Sequence, residues 1–302
     1  MIETDNLSKQ FGQTLAVDRL TLHIDEGEVF GFLGPNGAGK TTTVRMLTSL
    51  IAPTSGSAVV NGFRVGQEDI NIRRSIGILT ETPGMYDNLS AQFNLEIYAR
   101  LCEVKDVKGQ IEKYLRMLGL WERRDDEAGT FSKGMKQKLA IARALLHEPK
   151  ILFLDEPTAG LDPEASRLVR DFIAELGTEG RTIVLCTHNL DEADHLCNRI
   201  GVFKTQLLVV DTPERLRRQL FGRKVVFHLS SADPGFVKVV AALPIVRDCK
   251  AVDNKLIVQL DDPESHNPEI IRALVGAGAN IQFVGELRHS LEDVYLQLVK
   301  NA

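Results

Sequence analysis

The stretch Gly34-Pro35-Asn36-Gly37-Ala38-Gly39-Lys40-Thr41 lies between an apolar run, Gly27–Leu33, and a helical pattern, Lys40–Leu50. It matches the phosphate-binding loop pattern, and it stands where that loop must stand, after a strand and before a helix. Glycines let backbone N–H groups close around phosphates, because a Cβ would block the approach. The helix N-terminus beyond adds partial positive charge toward the anion. Lys40 is expected to reach the β- and γ-phosphates, and the Thr41 hydroxyl to hold Mg²⁺.

Working outward, two further apolar runs, Ile151–Leu154 and Thr182–Cys186, end in polar or acidic residues, as strands of a covered parallel sheet do. The first leads into Asp155-Glu156, which such a sheet brings beside the phosphate loop. Asp155 is expected to bind Mg²⁺ directly or through water, and Glu156 to act as the general base on the attacking water. His188 follows the second strand and reaches the same edge, where its expected role is to contact the γ-phosphate. Each residue has a bland alternative, a solvated strand end or a packed imidazole, and only their joint occurrence makes a site. Upstream, Ile2–Leu7 and Thr21–Ile24 alternate as strands joined by a turn near Phe11-Gly12.

A helical region runs from about Thr82 to Pro149. Its last helix places Met135, Leu139, Ala142 and Leu146 on one stripe. A further helix starts at Asp162-Pro163, stops at Gly177, and is expected to bury Leu168, Val169, Phe172, Ile173 and Leu176. After about residue 220 the texture changes to alternating short strands and helices, an α+β appendage. The strands are expected at Val225–Leu229, Leu256–Leu260 and Ile281–Val284.

Composition narrows the function classes. The 302 residues carry a formal net charge of −5, which gives no electrostatic reason to expect a nucleic-acid partner. Cys102, Cys186, Cys197 and Cys249 form no CxxC pair and are expected to be reduced thiols. The N-terminus lacks the basic start and apolar core of a signal peptide. No apolar run approaches the ~20 residues of a membrane-spanning helix, so a membrane role is expected to come through a partner.

Phe131-Ser-Lys-Gly-Met-Lys-Gln137 stands immediately before a helix, and Asp155-Glu-Pro-Thr-Ala-Gly-Leu-Asp162 follows downstream. With the loop Gly34–Thr42 and His188, this ordered set resembles the ABC-type ATPases over about residues 1–215. The resemblance implies an α/β fold: a P-loop NTPase core with a mainly parallel sheet, a small N-terminal antiparallel β part and a helical subdomain at about 82–150. A C-terminal α+β domain over 221–302 completes the expectation, the ATPase domain being 1–220. The resemblance further implies that Gly34, Asn36, Gly37, Ala38, Gly39, Lys40, Thr41 and Thr42 bind ATP with Mg²⁺. Ser132, Lys133, Gly134 and Met135 would form a signature loop completing the ATP site of the opposite subunit. Ser132 at a helix N-cap offers a hydroxyl, N–H groups and a helix dipole to an anion. Ala159, Gly160, Leu161 and Asp162 resemble the loop that passes between subunits. Phe11 matches the aromatic that stacks on adenine, with a turn aromatic packed on the small sheet as the alternative. In two places the sequence departs from the family pattern. Lys133 stands where a glycine is usual, and Glu81 stands where a glutamine is usual and a Mg²⁺ contact is expected.

The stretch Phe131–Leu146 and the ending Leu287-Arg-His-Ser-Leu-Glu-Asp-Val-Tyr295 are similar to the ATPase subunits of two-component bacterial drug- and sodium-exporters. That resemblance implies a homodimer, or a heterodimer with a second ATPase, at the cytoplasmic face of the membrane. Its partner would be a polytopic permease, whose short helix would dock near Glu81–Leu95 with Met85 and Tyr86 as anchors. A soluble ABC ATPase acting on ribosomes or DNA is the alternative class. It would ordinarily bring a second cassette, a long coiled-coil insertion or a basic extension, none of which is present. A regulatory subunit that binds ATP without hydrolysing it is a third class, opposed by Lys40, Asp155, Glu156 and His188.

Overall fold

Apolar runs such as Val29–Leu33 and Ile151–Leu154, the latter ending at Asp155, are buried at every position in the computed structural model. The model describes residues 1–80, 84–231 and 233–300. Only a strand covered on both faces accommodates such runs, and these two lie inside a six-stranded sheet. Its order is Gln206–Asp211, Arg199–Lys204, Val29–Leu33, Thr182–Thr187, Ile151–Asp155, Ile76–Leu79. The last five run parallel and the first is an antiparallel edge. Parallel neighbours bring the ends of Val29–Leu33, Ile151–Asp155 and Thr182–Thr187 to one rim, where ligands of open α/β sheets bind.

The N-terminal segment forms a four-stranded antiparallel sheet in the order Thr14–Ile24, Ile2–Phe11, Ser55–Val60, Phe63–Arg64. Its inward residues Ile2, Leu7, Leu20 and Ile24 share one core with Phe30, Phe32 and Phe203. The helices Ala91–Leu101, Val107–Met117 and Lys133–Leu145 pack on one another. The last is capped by Ser132, whose hydroxyl accepts from the Met135 N–H at 3.3 Å. In helix Pro163–Thr178 the Asp162 carboxylate accepts from the Ala165 N–H at 2.8 Å. This helix buries Val169, Phe172, Ile173 and Leu176 as expected, but Leu168 is 49% exposed. Leu168 sits at the edge of that buried stripe, where the helix turns toward solvent, which the apolar tally along the sequence does not register.

The chain divides into two compact units, Met1–Thr212 and Pro213–Ala302. The change of texture near residue 220 thus marks the start of strand Arg223–Leu229. Helix Pro213–Phe221 belongs to the second unit because it packs on helix Leu291–Lys300. The second unit runs β-α-β-β-α-β from Arg223 to Glu286, with sheet order Val246–Val252, Lys255–Leu260, Arg223–Leu229, Ile281–Glu286, all antiparallel. Phe227, Leu256, Val258, Ile270 and Leu274 form its core. Strand Val246–Val252 escapes a sequence reading because it is a mostly exposed edge with little alternation. Among the described residues no helix is long and apolar enough to cross a membrane.

Candidate functional site

The phosphate loop leaves strand Val29–Leu33 and enters helix Lys40–Leu47 through Gly39, whose φ of 105° lies in the left-handed region. A Cβ on Gly39 would run into the Ala16 carbonyl oxygen, and one on Gly34 into the Phe203 carbonyl oxygen. Both positions therefore require glycine for space, and Gly39 also for its backbone angle. As N-cap, Gly39 supplies no side-chain acceptor to the first turn, so the helix N–H groups point into the cleft without a capping oxygen. The Lys40 ammonium folds back on the loop, donating to the carbonyls of Gly34 at 2.5 Å and Pro35 at 3.3 Å. Thr41 Oγ1 donates to Asp155 Oδ2 at 2.8 Å across 114 residues of sequence.

These groups line a cleft of about 310 Å³ together with Ala16, Asn36, Gly37, Ala38, Thr42, Glu156, Ala159 and His188. Lys40 and Asp155 are almost wholly buried. A hydroxyl beside a buried carboxylate is a hard-oxygen donor pair that fits Mg²⁺, which takes few protein ligands and shares the rest with waters and phosphates. At the far wall His188 Nδ1 lies 2.9 Å from Glu156 Oε1, the imidazole largely exposed and the carboxylate largely buried. Glu156 has φ 51°, a left-handed value for a residue that also precedes Pro157. Such a conformation costs on the order of 1–2 kcal/mol in a non-glycine residue and marks functional sites more often than random positions. The Glu156 N–H donates to the Cys186 carbonyl at 2.8 Å, tying the carboxylate-bearing turn to the strand that ends beside His188.

Ser132, Lys133, Gly134 and Met135, expected to form a signature loop, do not line this cleft. Of these, Lys133 and Gly134 approach the loop after Glu156 and the helix that follows it. The Lys133 side chain occupies the space a Cβ on Gly160 would need, and a Cβ on Gly134 would come within 3.4 Å of Ala165. Ala159 reaches the cleft, while Gly160, Leu161 and Asp162 lie beyond it. Phe11 ends its strand 51% exposed, with the Lys9 ammonium 5.1 Å from its ring centroid. Phe11 is absent from the cleft lining, where Ala16 of the same sheet supplies the wall. Nothing in the sequence distinguishes Ala16, since its contribution is backbone and a small side chain. Glu81 and Pro83 lie outside the described residues. Near them Tyr86 is 54% exposed, its loop held by Asn94, which accepts from the Tyr86 N–H at 2.8 Å. Cys186 and Cys197 are buried free thiols whose pKa burial pushes up, so neither is poised as a nucleophile.

Comparison with known proteins adds the family. Residues 17–159 match the model described as ABC transporter. Residues 212–299 match the one described as ATP-binding protein DrrA1-3-like, C-terminal domain. The chain is 35% identical over 300 residues to the bacitracin transport ATP-binding protein BcrA of Bacillus licheniformis, covering 99% of this chain and 97% of that one. It is 32% identical over 303 residues to the daunorubicin resistance ATP-binding protein DrrA2 of Streptomyces coeruleorubidus, covering 98% and 94%. Among solved structures, an ATP-binding subunit of an ABC transporter aligns with TM-score 0.67 and 30% identity over 74% of this chain and 94% of that chain. A dimeric ATP-binding cassette in a post-hydrolysis state, bound to ADP and Pi, aligns with TM-score 0.64 and 25% identity over 70% and 98%. The chain belongs to the family of ABC transporter ATP-binding proteins, and its first unit carries their ATPase domain.

Proposed function

We infer that this chain is the ATP-hydrolysing subunit of an exporter, acting as a head-to-tail dimer on a separate polytopic permease at the cytoplasmic face of the membrane. The observation that carries the catalytic part is the convergence of Lys40, Thr41, Asp155, Glu156 and His188 on one cleft beneath a helix N-terminus. The exporter part is supported by relatives named for bacitracin transport and daunorubicin resistance, similar along nearly their whole length.

ATP phosphates enter the loop Gly34–Thr42, where backbone N–H groups and the start of helix Lys40–Leu47 meet their charge. Lys40, released from the Gly34 and Pro35 carbonyls, pairs with the β- and γ-phosphates. Thr41 and Asp155 would hold Mg²⁺, which would supply positive charge against the phosphates. Glu156 accepts the proton of the attacking water, a role worth typically 10²- to 10⁴-fold in rate. His188, within hydrogen-bond reach of that carboxylate, orients it and contacts the γ-phosphate. Ser132, at the N-terminus of its helix, does not line the chain's own cleft, which suits a group serving a second subunit. Phe11, exposed and outside the lining of the cleft, would lend its ring to adenine.

Extraction of the chain from its native membranes in mild detergent, with identification of co-purifying proteins and an assay of Mg²⁺-ATP hydrolysis, tests this reading. A polytopic partner without its own cassette is the expected result. Ribosomes, DNA or no partner, with hydrolysis intact, would overturn the export assignment while leaving the chemistry.

A further inference from the structure

Glu156 combines a left-handed backbone with a following proline, and such a conformer persists only where its surroundings over-determine it. Two buried side chains grip the residues immediately after it. Gln137, 5% exposed on helix Lys133–Leu145, donates from Nε2 to the Pro157 carbonyl at 2.8 Å. Glu192, 0% exposed on helix Leu190–Leu196, accepts at Oε1 from the Thr158 hydroxyl at 3.0 Å. Glu192 is itself tied to the turn that follows His188, because its N–H donates to Asn189 Oδ1 at 3.1 Å. The Asn189 N–H in turn donates to Thr187 Oγ1 at 2.9 Å.

The bland account is that these are two satisfied polar groups of the interior. Burying a carboxyl is costly, however, and an apolar residue of similar size fills the same volume without that cost. Both side chains bond a two-residue segment between Glu156 and the loop Ala159–Asp162, Glu192 reaching Thr187 as well, and they come from different helices. One of those helices begins at Ser132 and the other directly follows His188. We propose that Gln137 and Glu192 are positioning residues, a clamp on Pro157–Thr158 that holds the Glu156 carboxylate in its strained orientation against His188. The proposal rests on Glu156 as the general base. It adds that the signature helix and the His188 turn meet the catalytic carboxylate through this clamp.

The purified full chain is assayed for kcat and KM of Mg²⁺-ATP hydrolysis and, separately, for ATP affinity. Gln137→Ala, Glu192→Ala and Thr158→Val are expected to lower kcat roughly 10- to 100-fold, the effect of a small misplacement of a catalytic group. ATP affinity should stay within about threefold, since no clamp residue lines the cleft. Glu192→Gln keeps an oxygen for the Thr158 hydroxyl and should recover most of kcat, a rescue that a simple requirement for charge would not give. Thr158→Val preserves shape and remains decisive if Glu192→Ala fails to fold. Wild-type kcat in Gln137→Ala and Thr158→Val, with hydrolysis abolished in Glu156→Gln, would overturn the clamp alone. Retained hydrolysis in Glu156→Gln would instead overturn the assignment of the base.

Discussion

Two concavities of nearly the same size differ in almost every other respect. The cleft of the first unit, about 310 Å³, gathers a lysine, two threonines, two carboxylates and a histidine around a helix N-terminus. The groove on the sheet of the second unit, about 340 Å³, is lined mostly by Val226, Val252, Ile257, Phe283 and Leu287, with Lys255 and Glu286 among its neighbours. Volume therefore says little about chemistry. What separates a reaction site from an apolar recess is convergence of polar groups from several elements.

The contrast can be broken experimentally in four places. The largest effect belongs to the core beneath the second sheet, where Phe227 is fully buried. Phe227→Ala should cost about 3–5 kcal/mol of unfolding free energy in urea. A cost below about 1 kcal/mol would mean that this core is not the unit's main support. In the cleft, Lys40→Ala removes the proposed charged partner of the phosphates and should weaken ATP binding by up to about 100-fold in calorimetry. Unchanged affinity would contradict the phosphate role of the loop.

A smaller effect concerns Glu148, which joins the helical layer to the sheet layer of the first unit. Burial alone would push its carboxyl up. Hydrogen bonds from Lys113 and Arg181, both at 2.6 Å, outweigh burial and hold it at about 2, below the ordinary 4.5. A pKa depressed on folding contributes stability that is fully present above 4.5 and is lost as pH falls toward 2. Glu148→Gln should therefore lower stability by about 1–2 kcal/mol at pH 7, after allowance for solvent screening of a partly exposed group. The gap to wild type should narrow between pH 4.5 and 2, and a constant gap would exclude the ionic origin. Smallest is Phe283→Ser, on a ring 61% exposed in the apolar groove, expected within about 0.5 kcal/mol of wild type.

The same contrast explains what was legible from the sequence. The phosphate loop, Asp155-Glu156, and the N-caps Ser132 and Asp162 were readable because each is encoded by adjacent residues whose local geometry demands them. The buried strands were readable because covered strands need unbroken apolar runs. Gln137 and Glu192 gave no signal. Their importance is a meeting of distant segments on Pro157–Thr158, and in sequence they are an ordinary helix glutamine and glutamate. Ala16 was silent for the same reason, and edge strand Val246–Val252 because solvent leaves its pattern unconstrained. The division at Thr212 rather than near 220 depends on which helix Pro213–Phe221 packs against, a tertiary choice with no local code.

The central claim is that Glu156 completes a hydrolytic ATP site in this cleft. Steady-state Mg²⁺-ATP hydrolysis by wild type and Glu156→Gln, with sizing of both in ATP, addresses it most directly. Glu156→Gln is expected to bind ATP still, to lose at least about 100-fold in rate, and to accumulate as an ATP-dependent dimer. Hydrolysis by Glu156→Gln within about threefold of wild type would contradict it.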